Sequence, residues 1–160
     1  MKKSWFLSLL VLLLFLPALQ PEAAKSKTVK ETAFLVGITQ AKNKVSVKAD
    51  YIQWFMGEEA NREAGKDKNC PIVNGKCETP DGYYMRNVNP KLRTLSVSPN
   101  VKIYMQTYNI EQTREIQWDQ KITLKQFIDV MKKDKRYHDI PFHLEIQNGV
   151  IVKITEQYLP

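Results

Sequence analysis

Two histidines close together are the side chains best equipped for chemistry in this chain. His138 and His143 bracket Ile140-Pro141, with Asp139 and Glu145 beside them. A His-Asp-Glu group can hold a metal or pass a proton. This spacing matches no helical ligand motif, Pro141 breaks the segment, and His143 falls on the polar face of a strand pattern. Both histidines therefore read as structural, and no metal site or cofactor is assigned. A second group is acidic: Asp50, Glu58, Glu59 and Glu63. Paired carboxylates carry out glycoside hydrolysis, so a cell-envelope hydrolase using Asp50, Glu58 and Glu59 is one alternative. The positive end of a helix also attracts acids, which accounts for Glu58 and Glu59 without catalysis. GxSxG, HExxH, P-loop and dinucleotide fingerprints are all missing. No catalytic residue is assigned.

Aromatic and basic residues make a third group. Tyr83, Tyr84, Tyr104 and Tyr108 fall in strand-like runs with Arg86, Arg93 and Lys102. Rings on a sheet face stack sugars or bases, and guanidinium groups grip phosphate or carboxylate with two parallel bonds. The expected ligand contacts are Tyr84, Arg86, Arg93, Lys102 and Tyr104. Alternation puts Tyr84 with Arg86, and Lys102 with Tyr104, but does not show that the two faces coincide. Arg93 shares a face with Leu95 and Val97, so it is also a candidate for a core-edge ion pair.

The elements that must position these groups begin after a leader. Met1-Lys2-Lys3 precedes the apolar run SWFLSLLVLLLFL, the layout of a secretory signal peptide. The run is short of the roughly 20 residues that span a bilayer. Residues 1–24 are expected to be removed, leaving no integral membrane span and placing the chain outside the cell or on its wall. Loss of Lys2, Lys3 and Glu22 leaves 22 basic and 16 acidic residues, a net charge of +6. Such a chain meets anionic wall polymer or other extracellular proteins; nucleic acid is not the expected partner. In an oxidising compartment Cys70 and Cys77, with six residues between them, are expected to pair.

Residues 25–32 are polar and are read as a flexible N-terminus before one domain at 33–160. AFLVGITQ and KVSVKADYIQWF alternate as a hairpin, with Phe34, Val36 and Ile38 on the core face. GEEANREAGKDK suggests a short helix ended by Gly65. Asp81-Gly82, Asn89-Pro90 and Pro99-Asn100 punctuate three strands, and residues 110–120 read as loop or ragged strand. Thr123 and Gln126 form a capping box before the stripe Leu124, Phe127, Ile128 and Met131. A final hairpin surrounds Asn148-Gly149. A three-residue loop there would match Leu144 to Val152 and Phe142 to Ile154, making all of them core. The sum is an α+β fold: a curled, mostly antiparallel sheet or partly open β-barrel, OB-like in shape, with two helices.

DYIQWFMGEEA (50–60), GYYMRNVNPKLRTLSVS (82–98) and EQYLP (156–160) resemble a family of secreted and membrane-anchored proteins of Gram-positive bacteria. The resemblance implies secretion and an envelope setting, and no reaction, cofactor or ligand. It points to Trp54, Tyr84, Arg86, Asn87 and Arg93 as first positions to test. The expected function is a non-catalytic binding or interaction module of the cell envelope whose ligand is unknown; an anionic ligand, if there is one, is expected on the central strands. Besides the hydrolase, the other alternative is a structural or inhibitory protein acting through a sheet edge.

Overall fold

The computed structural model describes residues 27–160, so the expected leader lies outside the described residues. Alternating apolar and polar residues build two long strands, β1 (Thr28–Ala41) and β2 (Lys44–Met56), joined through Lys42 and Asn43. Residues 28–32, expected to be flexible, are already strand. Next come α1 (Gly57–Lys66), the small hairpin β3 (Ile72–Val73) and β4 (Lys76–Cys77), then β5 (Tyr83–Arg86) and β6 (Leu92–Met105). The one-turn helix α2 (Ile110–Thr113) and the start of β7 (Gln120–Ile122) occupy the segment read as loop or ragged strand, so among the described residues there are three α-helices rather than two. The chain finishes with α3 (Leu124–Lys133), a 3-10 turn at Lys135–His138, β8 (Pro141–Gln147) and β9 (Val150–Glu156).

Pairing closes a barrel. β1 lies between β2 and β8, β8 pairs with β9, β9 runs parallel to β6, and β6 returns to β2. Numbering only these five strands in chain order gives the circuit 1-2-3-5-4-1, with a helix between the third and fourth. That is the topology of an OB-fold, here fully closed. β5 extends the sheet along β2, and β7 extends it along β6. Among the described residues, no helix is long and apolar enough to cross a membrane.

Leu35, Val47, Ala49, Ile103, Phe142, Leu144, Ile151 and Ile154 fill the interior, and α3 adds Phe127, Ile128 and Met131. The Phe127 and Phe142 rings meet edge to face at 5.8 Å. The expected capping box holds α3: the Thr123 hydroxyl accepts from Gln126 N, and Thr123 N donates to the Gln126 side chain.

Four further expectations need correction, each for a structural reason. Between the pairs Leu35–Ala49 and Gly37–Lys48, Val36 is an extra residue on β1. This bulge reverses the alternation, so Ala33 and Leu35 point inward, Phe34 is half-buried and Val36 is 38% exposed. Past the bulge, Ile38 packs against the core. The last hairpin has the two-residue Asn148-Gly149 turn, both residues at positive φ, pairing Ile146 with Ile151. A bulge at Val152 then brings Leu144 opposite Ile154 and leaves Val152 half-buried. Pro99-Asn100 is no turn: β6 runs through it, pairing with β2 over 92–97 and with β7 over 103–105. Proline donates no ladder bond, so it sits where the strand bends and its pairing with β9 shifts register. Finally, Gly65 lies inside α1, where an added Cβ would come within 3.4 Å of Cys77 Cβ; Asp67 is the C-cap.

Candidate functional site

The structure divides the five expected ligand residues among three places. Tyr84 and Arg86 tie β5 to α1. Arg86 donates through Nη1 to Glu63 Oε2 (3.0 Å), through Nη2 to the Glu63 carbonyl (3.1 Å) and through Nε to Asp67, while the Tyr84 hydroxyl donates to Asp67 (2.8 Å). The guanidinium also lies 5.3 Å from the centre of the Phe55 ring. A hydrogen bond from Lys66, then one from Arg86, holds the Glu63 carboxyl below its ordinary range; bonds from Arg86 and Tyr84 do the same for Asp67. The Arg86 side chain is 17% exposed and spends its donors on these partners. Arg93 stacks on Tyr51 at 4.3 Å and donates to the Lys91 carbonyl. Lys102 and Tyr104 lie together on the outer face of β6, beside Lys153, whose ammonium sits 5.6 Å over the Tyr104 ring and pairs with Glu145 at 3.3 Å.

The acidic and histidine groups do not assemble into reaction centres. Asp50 accepts from the Asn87 side chain, Glu59 pairs with Arg62, and Glu58 is exposed. His138 Nε2 donates to the Met131 carbonyl at the end of α3. His143 lies between Thr32 (3.0 Å from Nδ1) and Gln157 (2.9 Å from Nε2). The Gln157 amide nitrogen donates to the Tyr158 carbonyl, which leaves its oxygen facing His143. Nε2–H therefore donates to Gln157, and Nδ1 can accept the Thr32 hydroxyl. Cys70 and Cys77 form the expected disulfide across the β3–β4 hairpin.

Around His143 the chain builds a cleft of about 430 Å³, within the roughly 300–1,000 Å³ of small-ligand sites. One wall is Trp54, Met56 and Tyr83, from the adjoining ends of β2 and β5; the other is Trp118, Tyr158 and Pro160. Trp54 and Tyr83 stack with centroids 4.8 Å apart and planes at 18°, and Trp118 meets Tyr158 edge to face at 5.6 Å. His143 and Thr155, outward-facing on β8 and β9, lie between, with Asp81 also on the lining. Trp118 is 67% exposed and Met56 60%.

Both walls are fixed by polar bonds. Glu156 is 2% exposed, and its carboxylate accepts from Gln106 N (2.7 Å), Thr107 N (3.1 Å) and the Thr107 hydroxyl. The Gln106 side chain in turn accepts from Asp119 N and donates to the Asp119 carboxylate, while Gln106 O accepts from Gln117 N. Trp118 is thus held from both neighbours. On the other side, Gly57 N donates to Gly82 O (2.8 Å), joining two residues at positive φ where β2 turns into α1 and β5 begins.

Stacking and hydrogen bonding are the chemistry these residues can do. No lysine or arginine lines the cleft, and its histidine is engaged at both nitrogens. From the sequence, Trp54 and Tyr83 are picked out, but no role is assigned to Trp118 or Tyr158. The signal was the three resembling stretches: 50–60 supplies Trp54 and Met56, 82–98 supplies Tyr83, and 156–160 supplies Glu156, Gln157, Tyr158 and Pro160. The β2–β6 face that OB-folds use for oligonucleotides presents Ser46, Lys48, Thr94 and Ser96 and carries no such rings. Compared with family models, curated proteins and solved structures, the chain matches none.

Proposed function

We propose that this chain is a secreted, non-catalytic binding module of a Gram-positive cell envelope, and that its ligand lies in the aromatic cleft. The observation that carries this reading is the pair of ring-lined walls, rigidly braced yet open to solvent. Large exposed apolar surface on a small domain marks an interaction site. A ring such as Trp118, on a loop braced by a buried carboxylate network, is pre-organised for one, which lowers the ordering cost of binding. Secretion rests on the N-terminal leader pattern and the oxidised cysteine pair.

The anionic ligand expected from the sequence belongs on a different surface, the Lys102–Tyr104–Lys153 face. Lys102 makes no ion pair among the described residues, but Glu145 competes for Lys153. That weakens the case for an anion, and the cleft is the stronger candidate.

Retention of the purified mature chain on isolated cell walls tests the reading. Trp118→Ala should reduce retention about tenfold, since one stacked ring is worth about 1 kcal/mol or more. The circular dichroism spectrum should not change, because Trp118 is largely exposed. Equal retention of both proteins would reject the cleft as the binding site.

A further inference from the structure

We infer that the cleft takes a neutral glycan, a linear chain of pyranose rings with equatorial hydroxyls. The inference rests on the cleft being the ligand site and adds the class of ligand.

Shape is the first argument. A pyranose ring with equatorial hydroxyls turns an apolar, slightly positive C–H face outward, and the face of an aromatic ring is flat and slightly negative. Trp54 and Tyr83 cover one face of each other, so their stack offers a sugar only an outer face, and exposed Trp118 offers a second flat surface. Charge is the second argument. Inside the cleft an anionic polymer would meet no lysine or arginine among the described residues and would face the Asp81 carboxylate; the lysines, Lys30 and Lys153, line the adjoining cavity.

The uncommitted polar groups point the same way. The Asp81 carboxylate and the Thr155 hydroxyl make no hydrogen bond among the described residues, and both accept from sugar hydroxyls. The Tyr83 and Tyr158 hydroxyls and the indole N–H of exposed Trp118 are on the same lining and can donate to sugar oxygens. Continuity supports a chain rather than a single sugar. Thr155 lines this cleft and the next cavities along β9, where Lys153 and a further ring, Tyr104, follow.

Titration of the mature chain with chitohexaose and cellohexaose, followed by tryptophan emission and calorimetry, tests this. Saturable binding is expected, with Trp118→Ala weaker by about tenfold and Trp118→Tyr close to wild type. Affinity should hold between low and high salt, because no ion pair forms. Binding that survives Trp118→Ala unchanged would overturn the assignment. So would failure of both hexaoses while walls still retain the chain through Trp118; the cleft would then stand and the ligand class would fall. Trp118-dependent binding of phosphocholine or a polyproline peptide, with neither hexaose bound, would replace the glycan by that class. If walls and hexaoses both ignore Trp118, the cleft itself is excluded.

Discussion

Glu156 shows how one residue can serve both fold and site. Its buried carboxylate satisfies two backbone N–H groups and a hydroxyl at the point where β6 ends, and the same loop carries Gln106 toward Asp119 and Trp118. Removing the carboxylate strands those donors away from water, at about 1–3 kcal/mol for each group left unpaired. Glu156→Ala should therefore lower the urea midpoint. It should also shift Trp118 emission to the red as the wall loosens. Glu156→Gln, which keeps one acceptor oxygen, should lose less. A Glu156→Ala protein with unchanged midpoint and emission would show that the network does not brace the wall. Arg86 teaches the opposite lesson. A guanidinium near tyrosines on a strand looks like a ligand grip, but α1 supplies carboxylates that occupy it first.

At the scale of elements, α1 is fastened to β5 by charge and β1 is placed by its bulge. Glu63 and Asp67 are held below their unfolded values, so their contribution is complete above about pH 5 and fades as pH falls through the lower folded values. The melting temperature should thus drop on acidification below about pH 5, and Arg86→Met should flatten that drop while lowering the neutral-pH value. An equally steep acid limb in the variant would mean the cluster is not responsible. The bulge is tested by two neighbours. Leu35→Ala should cost about 2–5 kcal/mol, whereas Val36→Thr should stay within about 0.5 kcal/mol; the reverse order would restore the simple alternation. The disulfide closes a short loop worth about 2 kcal/mol. Its residues do not line the cleft. Reduction should therefore lower the melting temperature and leave ligand affinity unchanged.

For the molecule as a whole, stability and the proposed recognition reside in different places. Stability comes from the barrel interior plugged by α3, where Phe127→Ala or Leu144→Ala should cost about 2–5 kcal/mol by chemical denaturation. The proposed recognition lies on the outer surface, where β8 and β9 meet the extension of β2 and residues 157–160. The sheet extends beyond the closed barrel, and that extension is what lifts Trp54 and Tyr83 clear of the core. A bare five-stranded barrel would offer no first wall.

Signals that act between near neighbours were readable in the chain. The Thr123–Gln126 box, the strand alternation of 45–51, the acidic start of α1 and the pairing of Cys70 with Cys77 each depend on a few residues and on elementary chemistry. Alternation failed at Val36 and Val152 because a bulge is a property of two paired strands, and the partner decides which residue is extra. The run through Pro99 failed for the same reason: whether proline ends a strand depends on which edge needs its missing donor. Barrel closure through β2 and β6, and the parallel pairing of β6 with β9, depend on contacts far apart in the chain that no local pattern encodes. The cleft is the extreme case. Trp54, Tyr83, Trp118 and Tyr158 come from four separate segments, and only the closed barrel with its extended edge brings their rings to face one space.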